Sequence, residues 1–278
     1  MRKVAVRQSG WPDAPQQSAS RWLRTLHAGQ EPRVRLICFP HAGGSASFYR
    51  SWAAHMPAGV ELSAACYPGR EDRLLDPPAV SMDELTAPLA RAVAAEADGV
   101  PVAFFGHSMG GLVAYETALR LSATGGPKLA ALFVSAYADP GRRPSRALAN
   151  AGDEELVLEL TQLGGSDAAA LEHPELRDLI LPVVRADYRL LEDYVAPPVR
   201  TVGAPLTAYY GRQDDALAAD HGSQDDAPPP DTMAPWSEAT SSSFSIRTFD
   251  GGHFYLVEHV RDLVADVLTR LGAPSAEQ

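Results

Sequence analysis

The stretch PVAFFGHSMGGLVAYETALRL, residues 101–121, decides how the rest of the chain is read. Residues 101–106 form a fully apolar run of strand length. Residues 111–121 carry the spacing of a helix and follow at once. Between them lies G-H-S-M-G, a G-x-S-x-G pattern from Gly106 to Gly110. A serine at a sharp strand-to-helix turn sits in strained backbone. Side chains at the flanking positions would collide with neighbouring backbone, so glycine is required there. The turn lifts the Ser108 hydroxyl above the sheet edge at a helix N-terminus, which makes it the candidate nucleophile. A chance glycine-rich turn would need neither the strand nor the helix in register.

Working outward, VRLICF (34–39), VELSAACY (60–67), LAALFVSA (129–136), PLTAYYG (205–211) and FSIRTF (244–249) read as further strands. Helices are expected over 46–56, 82–97, 111–121 and 255–271. In the second of these, Leu85, Leu89, Ala92, Val93 and Ala97 share a face, and Pro88 offers a kink. Strands alternating with helices imply an α/β fold, with a mostly parallel sheet covered on both faces. The rhythm breaks over 140–200, where EELVLELTQL (154–163) and PELRDLILPVVRADYRLLEDY (174–194) are helical. The second puts Leu176, Leu179, Ile180, Val183 and Val184 on one face. The division expected is an N-terminal arm over 1–32, a core over 33–139 and 201–273, a helical lid over 140–200 and a tail over 274–278. Residues 214–236, rich in Asp, Ala and Pro, read as a surface loop.

A nucleophilic serine needs a base and an orienting acid. His221, His253 and His259 follow Ser108 beyond the lid. His253, in DGGHFY directly after a strand, has two glycines that let its loop bend inward, and it is the expected base. The acid is expected after PLTAYYG, where Asp214 and Asp215 are adjacent; their side chains point different ways, so one can serve. The N–H groups of Met109 and of Ala42, in FPHAGGS, are the expected oxyanion donors. His41 reads as a loop-shaping residue.

The net charge of −11 argues against nucleic acid, and no run approaches the ~18 apolar residues of a membrane span. No signal peptide is seen. Cys38 and Cys66 lie in apolar runs and read as buried free thiols of a cytoplasmic protein. A metal cluster is not expected.

The set RLICFPHAGGSASFY, CYPGREDR, FFGHSMGGLVAYE, LPVVRADY, YYGRQDD and GGHFYLVE resembles the stand-alone, type II thioesterases of polyketide synthase and nonribosomal peptide synthetase pathways, from about Val34 to Leu271. The resemblance implies the α/β-hydrolase fold with a helical lid. It implies hydrolysis of acyl thioesters on the phosphopantetheine arm of acyl or peptidyl carrier proteins, which removes aberrant or stalled groups. A monomer that needs no cofactor of its own is expected. It maps the triad onto Ser108, Asp214 and His253, since the family's G-x-x-D falls on Gly211 to Asp214. Two departures are Asp215 in place of the usual proline and a longer segment before Trp236 and Thr240. An esterase, an acyltransferase or a non-catalytic binding protein of the same fold are the competing readings.

Overall fold

The computed structural model describes residues 21–96, 98–141, 147–164, 170–221 and 228–273. Its centre is a sheet of seven strands. β1 (Leu23–His27), β2 (Val34–Phe39), β3 (Val60–Ala65), β4 (Val102–His107), β5 (Leu129–Ser135), β6 (Leu206–Gly211) and β7 (Phe244–Phe249) lie in the spatial order β1-β3-β2-β4-β5-β6-β7. Every neighbouring pair is parallel except β1 with β3. All six residues of β2, β4 and β6 are buried, as strands covered on both faces must be.

On one face lie α1 (Met82–Ala95) and α2 (Met109–Ala123), packing Leu85, Leu89, Leu112 and Val113 against the sheet. α1 starts at Ser81, whose side chain accepts the Glu84 N–H at 3.2 Å, and it runs on through Pro88. On the other face lie residues 46–55 and, at the C-terminus, a helix carrying Leu263, Val264 and Val267. Between β5 and β6 the chain forms α3 (Asp153–Leu163) and α4 (Pro174–Asp193). These helices share a small core of their own, Leu148, Leu156, Leu171, Leu181 and Val184, while Leu190 and Leu191 of α4 join the main core. After β6 come α5 (Asp215–His221), then, past β7, α6 (Tyr255–Glu258) and α7 (Val260–Arg270).

Several expectations need correction. The segment read as an arm, 1–32, contains β1, which pairs Leu23 with Ala65 and Arg24 with Ala64; only Leu23 of its five residues is buried, so no alternation announced it. Residues 1–20, the tail 274–278 and Ala97 lie outside the described residues. The helix expected over 46–56 is a 3-10 helix, Ala46–His55, whose buried residues Ala46, Tyr49 and Trp52 recur every third position, the spacing that eclipses on a 3-10 helix. The stretch read as a loop, 214–236, includes α5 and a 3-10 turn over Ala234–Ala239. The single C-terminal helix is broken at His259 into α6 and α7. Cys38 is buried but Cys66 is only half-buried; both are free.

α4 also differs from its expected face. Leu176 and Leu179 are 40% and 52% exposed, whereas Ile180, Val184 and Tyr188 point inward and line a cavity. The inward stripe follows i, i+4, i+8 and begins beyond the exposed first turn of the helix.

Candidate active site

Ser108 has φ 53° and ψ −126°, left-handed backbone that a non-glycine residue adopts at a cost of about 1–3 kcal/mol. The surroundings impose it. The Ser108 N–H donates to Ser135 O on β5 at 2.7 Å, and Gly111 N–H donates to Ser108 O at 2.8 Å. A side chain on Gly106 would run into the Gly110 carbonyl, and one on Gly110 into the Phe39 carbonyl of β2. The two glycines therefore let the elbow pack between β4, α2 and β2.

His253 follows β7 on a turn whose Gly251 has φ +114°. Gly211, at the end of β6, lies so close to the carbonyls of Gly251 and Gly252 that a Cβ has no room there. Gln213 N–H closes the same junction on Gly251 O at 2.9 Å. The two turns are thereby pressed together, and Asp214 Oδ2 and Oδ1 stand 3.0 and 3.2 Å from His253 Nδ1. A carboxylate only accepts, so Nδ1 carries the proton and Nε2 is the basic nitrogen. Asp214 is fully buried. It also directly precedes α5, its Oδ1 accepting the Leu217 N–H at 3.0 Å. Asp215 is exposed and its carboxylate accepts the neighbouring Ala216 N–H.

Ser108 and His253 border two cavities. One is walled by Ala42 and Gly43 and by Leu160, Ile180, Val184 and Tyr188 of α3 and α4. The other is walled by Ala136, Tyr137, Leu148, Glu159 and Leu217. The helices between β5 and β6 thus form the roof over Ser108. Ala42 lies at the cavity wall, and Met109 is the first residue of α2, where helix N–H groups favour negative charge.

Two buried histidines lie near His253. His41 packs between Phe48 and Phe254, at ring distances of 4.7 and 4.8 Å, and against Gly44. Burial, with His253 and Arg70 nearby, pushes its pKa down to about 3, so it is neutral and suited to shaping the loop. His107 was not singled out in the sequence, because the motif leaves its position unspecified. Its Nδ1 lies 2.9 Å from Ser135 Oγ, which lies 2.7 Å from the Tyr255 hydroxyl, and its ring is 5.0 Å from that of His253. Burial holds its pKa well below the ordinary value. His259 bonds to Asp250 O and is not at the cavity. Trp236 and Thr240 anchor chain: the indole donates to Tyr137 O and the hydroxyl to Ala204 O, each at 2.6 Å. Among the described residues no group of three or more His, Cys, Asp or Glu could hold a metal ion.

The thioesterase-domain family profile matches residues 34–271. The chain belongs to the thioesterase family. This thioesterase is 35% identical over 259 residues to thioesterase PikA5 of Streptomyces venezuelae, covering 92% of this chain and 88% of that protein. It is 35% identical over 264 residues to a probable cadicidin biosynthesis thioesterase of Streptomyces griseus, covering 93% and 69%. Its fold matches the type II thioesterase BorB from the borrelidin biosynthetic cluster with a TM-score of 0.79 at 37% identity, over 90% of this chain and 98% of BorB. The RedJ thioesterase of the prodiginine pathway in Streptomyces coelicolor matches at 0.76 and 33%, over 86% of each. The mostly parallel sheet with flanking helices is the α/β-hydrolase fold, and the thioesterase is a thioester hydrolase.

Proposed function

We propose that this thioesterase removes aberrant or stalled acyl groups from the phosphopantetheine arm of acyl or peptidyl carrier proteins of a polyketide or nonribosomal peptide assembly line. Ser108 is the nucleophile, His253 the general base and Asp214 the acid that holds His253. The observation that carries this reading is the meeting of Ser108 and His253 at the floor of cavities walled largely by apolar side chains of α3 and α4. A roof of that kind admits a thin arm and excludes bulk water.

His253 Nε2 takes the Ser108 hydroxyl proton as Oγ attacks the thioester carbonyl. The oxyanion is held by the Ala42 and Met109 N–H groups. As the tetrahedral species collapses, the C–S bond breaks and the leaving thiolate receives the proton from His253. Water, deprotonated by His253, attacks the acyl-enzyme; collapse releases the carboxylic acid and returns the proton to Ser108. Each step uses the chain's own side chains and backbone, without a metal or cofactor, and the phosphopantetheine comes with the partner. The two free thiols suit a reducing, cytoplasmic setting, and no helix among the described residues is long and apolar enough to cross a membrane.

The test is mass spectrometry of carrier proteins loaded with a panel of acyl groups, before and after addition of enzyme. The free phosphopantetheine thiol should reappear with the native chain and not with Ser108→Ala. Loss of activity on carriers alongside fast turnover of simple esters would overturn the assignment.

A further inference from the structure

The loop that carries Ala42 is tied down at points on either side of it. Phe39 O accepts the Tyr49 hydroxyl at 3.0 Å and Pro40 O accepts the Tyr67 hydroxyl at 3.2 Å. Beyond Ala42 the ties change character. Gly43 N–H donates to Asp187 Oδ2, on α4, at 2.8 Å. The Arg70 guanidinium clasps the same carboxylate with both arms, at 2.7 and 2.9 Å, and its Nη1 also donates to Gly44 O at 3.1 Å. Arg70 and Asp187 are 8% and 3% exposed. The four groups close a ring: Gly43 N–H to Asp187, Asp187 to Arg70, Arg70 to Gly44 O, and back through one peptide.

Steric fit gives independent support. Gly43 has φ +76°, and a Cβ there would lie 2.5 Å from Val184 Cγ2, one turn before Asp187 on the same helix. Backbone and roof helix are therefore in direct contact at the residue next to Ala42. Turning the Ala42–Gly43 peptide would take the Gly43 N–H from the Asp187 carboxylate, and moving the Gly44 carbonyl would take it from Arg70; a buried pair with a fixed fork geometry therefore favours one orientation of the loop.

We propose that Arg70 and Asp187 are positioning residues for the oxyanion hole: through Gly43 and Gly44 they set the direction of the Ala42 N–H, and so make helix α4 part of the apparatus that stabilises the tetrahedral intermediate. This rests on the assignment of Ala42 as oxyanion donor under Proposed function. The pair touches no substrate. Its effect belongs to the transition state, since a misdirected donor weakens the hold on the oxyanion more than on the neutral carbonyl.

The test compares the native chain with Asp187→Asn, which keeps an acceptor for Gly43 but loses the charge, and Arg70→Lys, which keeps the charge but loses the fork. The readouts are kcat and KM on the hexanoyl thioester of N-acetylcysteamine and the inhibition constant of hexylboronic acid, whose adduct on Ser108 places an oxygen in the oxyanion hole. Activities are normalised to the folded fraction from circular dichroism. For each variant kcat should fall about tenfold to a hundredfold with KM within about twofold, and the inhibition constant should rise in step with the fall in kcat. Should Asp187→Asn not fold, Arg70→Lys, which leaves Asp187 facing a cation, decides by the same criteria. A normalised kcat within about twofold of the native value, with only thermal stability lowered, or a loss confined to KM, overturns the proposal. Ser108→Ala run alongside separates the two levels: residual turnover there would sink the site assignment itself, whereas an inactive Ser108→Ala beside normal Arg70 and Asp187 variants removes this inference alone.

Discussion

Asp214 Oδ2 lies 3.0 Å from His253 Nδ1 across 39 positions of chain, while the adjacent Asp215 is turned to solvent. The neighbours therefore differ in what a charge-neutral substitution removes. Asp214→Asn should lower kcat by several orders of magnitude, on the order of the ~10⁴ found where a triad acid is neutralised, because an amide can stabilise the wrong tautomer of His253. Asp215→Asn should change kcat by less than about threefold. Steady-state kinetics on an acyl-carrier substrate checks both, and a reversed order would reassign the acid.

Ser108, the proposed nucleophile, sits in strained backbone with φ 53°. Ser108→Ala should abolish turnover and leave the circular dichroism spectrum unchanged. Ser108→Gly should also be inactive yet melt at a higher temperature. Relief of strain of about 1–3 kcal/mol outweighs the roughly 0.4–1 kcal/mol by which glycine loosens the unfolded chain. A lower melting temperature for the glycine variant would show that the elbow is not strained at this residue.

Acid should destabilise the fold through the buried histidines. The unfolded chain binds a proton at each histidine near pH 6.5, but His41 in the folded state does so only near 3, and His107 is likewise depressed. Below pH 6.5 the unfolded state therefore holds more protons, and stability falls as pH drops from about 6.5 towards 3. Each histidine contributes up to about 1.4 kcal/mol per pH unit in that window. His41→Phe, whose ring fits between Phe48 and Phe254, should make urea-unfolding free energies measured from pH 7 to 4.5 fall less steeply. An unchanged slope would contradict the burial argument.

The roof predicts which residues set acyl preference. Ile180 and Val184 face the cavity beside Ser108, whereas Leu179 is half exposed on the outer side of α4. Ile180→Trp should shift the preference towards shorter acyl chains, and Leu179→Trp should leave it unaltered. Relative kcat/KM over a chain-length series of thioesters reads this directly. A shift produced by Leu179→Trp and not by Ile180→Trp would mean that the helix sits in another rotation.

The sequence by itself determined the elbow at Gly106–Gly110, the alternation of strands and helices that makes the parallel sheet, and the loop of His253. These depend on short-range terms: steric exclusion at a turn, and apolar periodicity within one element. Asp214 was set apart from Asp215 in the sequence only by resemblance. Position in the folded chain supplies the physical ground, since Gly211 allows two turns to touch. Strand β1 was not legible because an edge strand with one buried residue carries almost no pattern. Of the face expected on α4, Ile180, Val183 and Val184 are inward but Leu176 and Leu179 are not, because periodicity within one helix does not say where along it the body of the protein begins. Only the tertiary structure decided that the His107 ring would lie beside that of His253, and that Arg70 and Asp187, 117 positions apart, would meet against the loop at Gly43 and Gly44. Such contacts exist only once β2, β3 and α4 have been brought together by burial of the whole core, and no local stretch of sequence contains both partners.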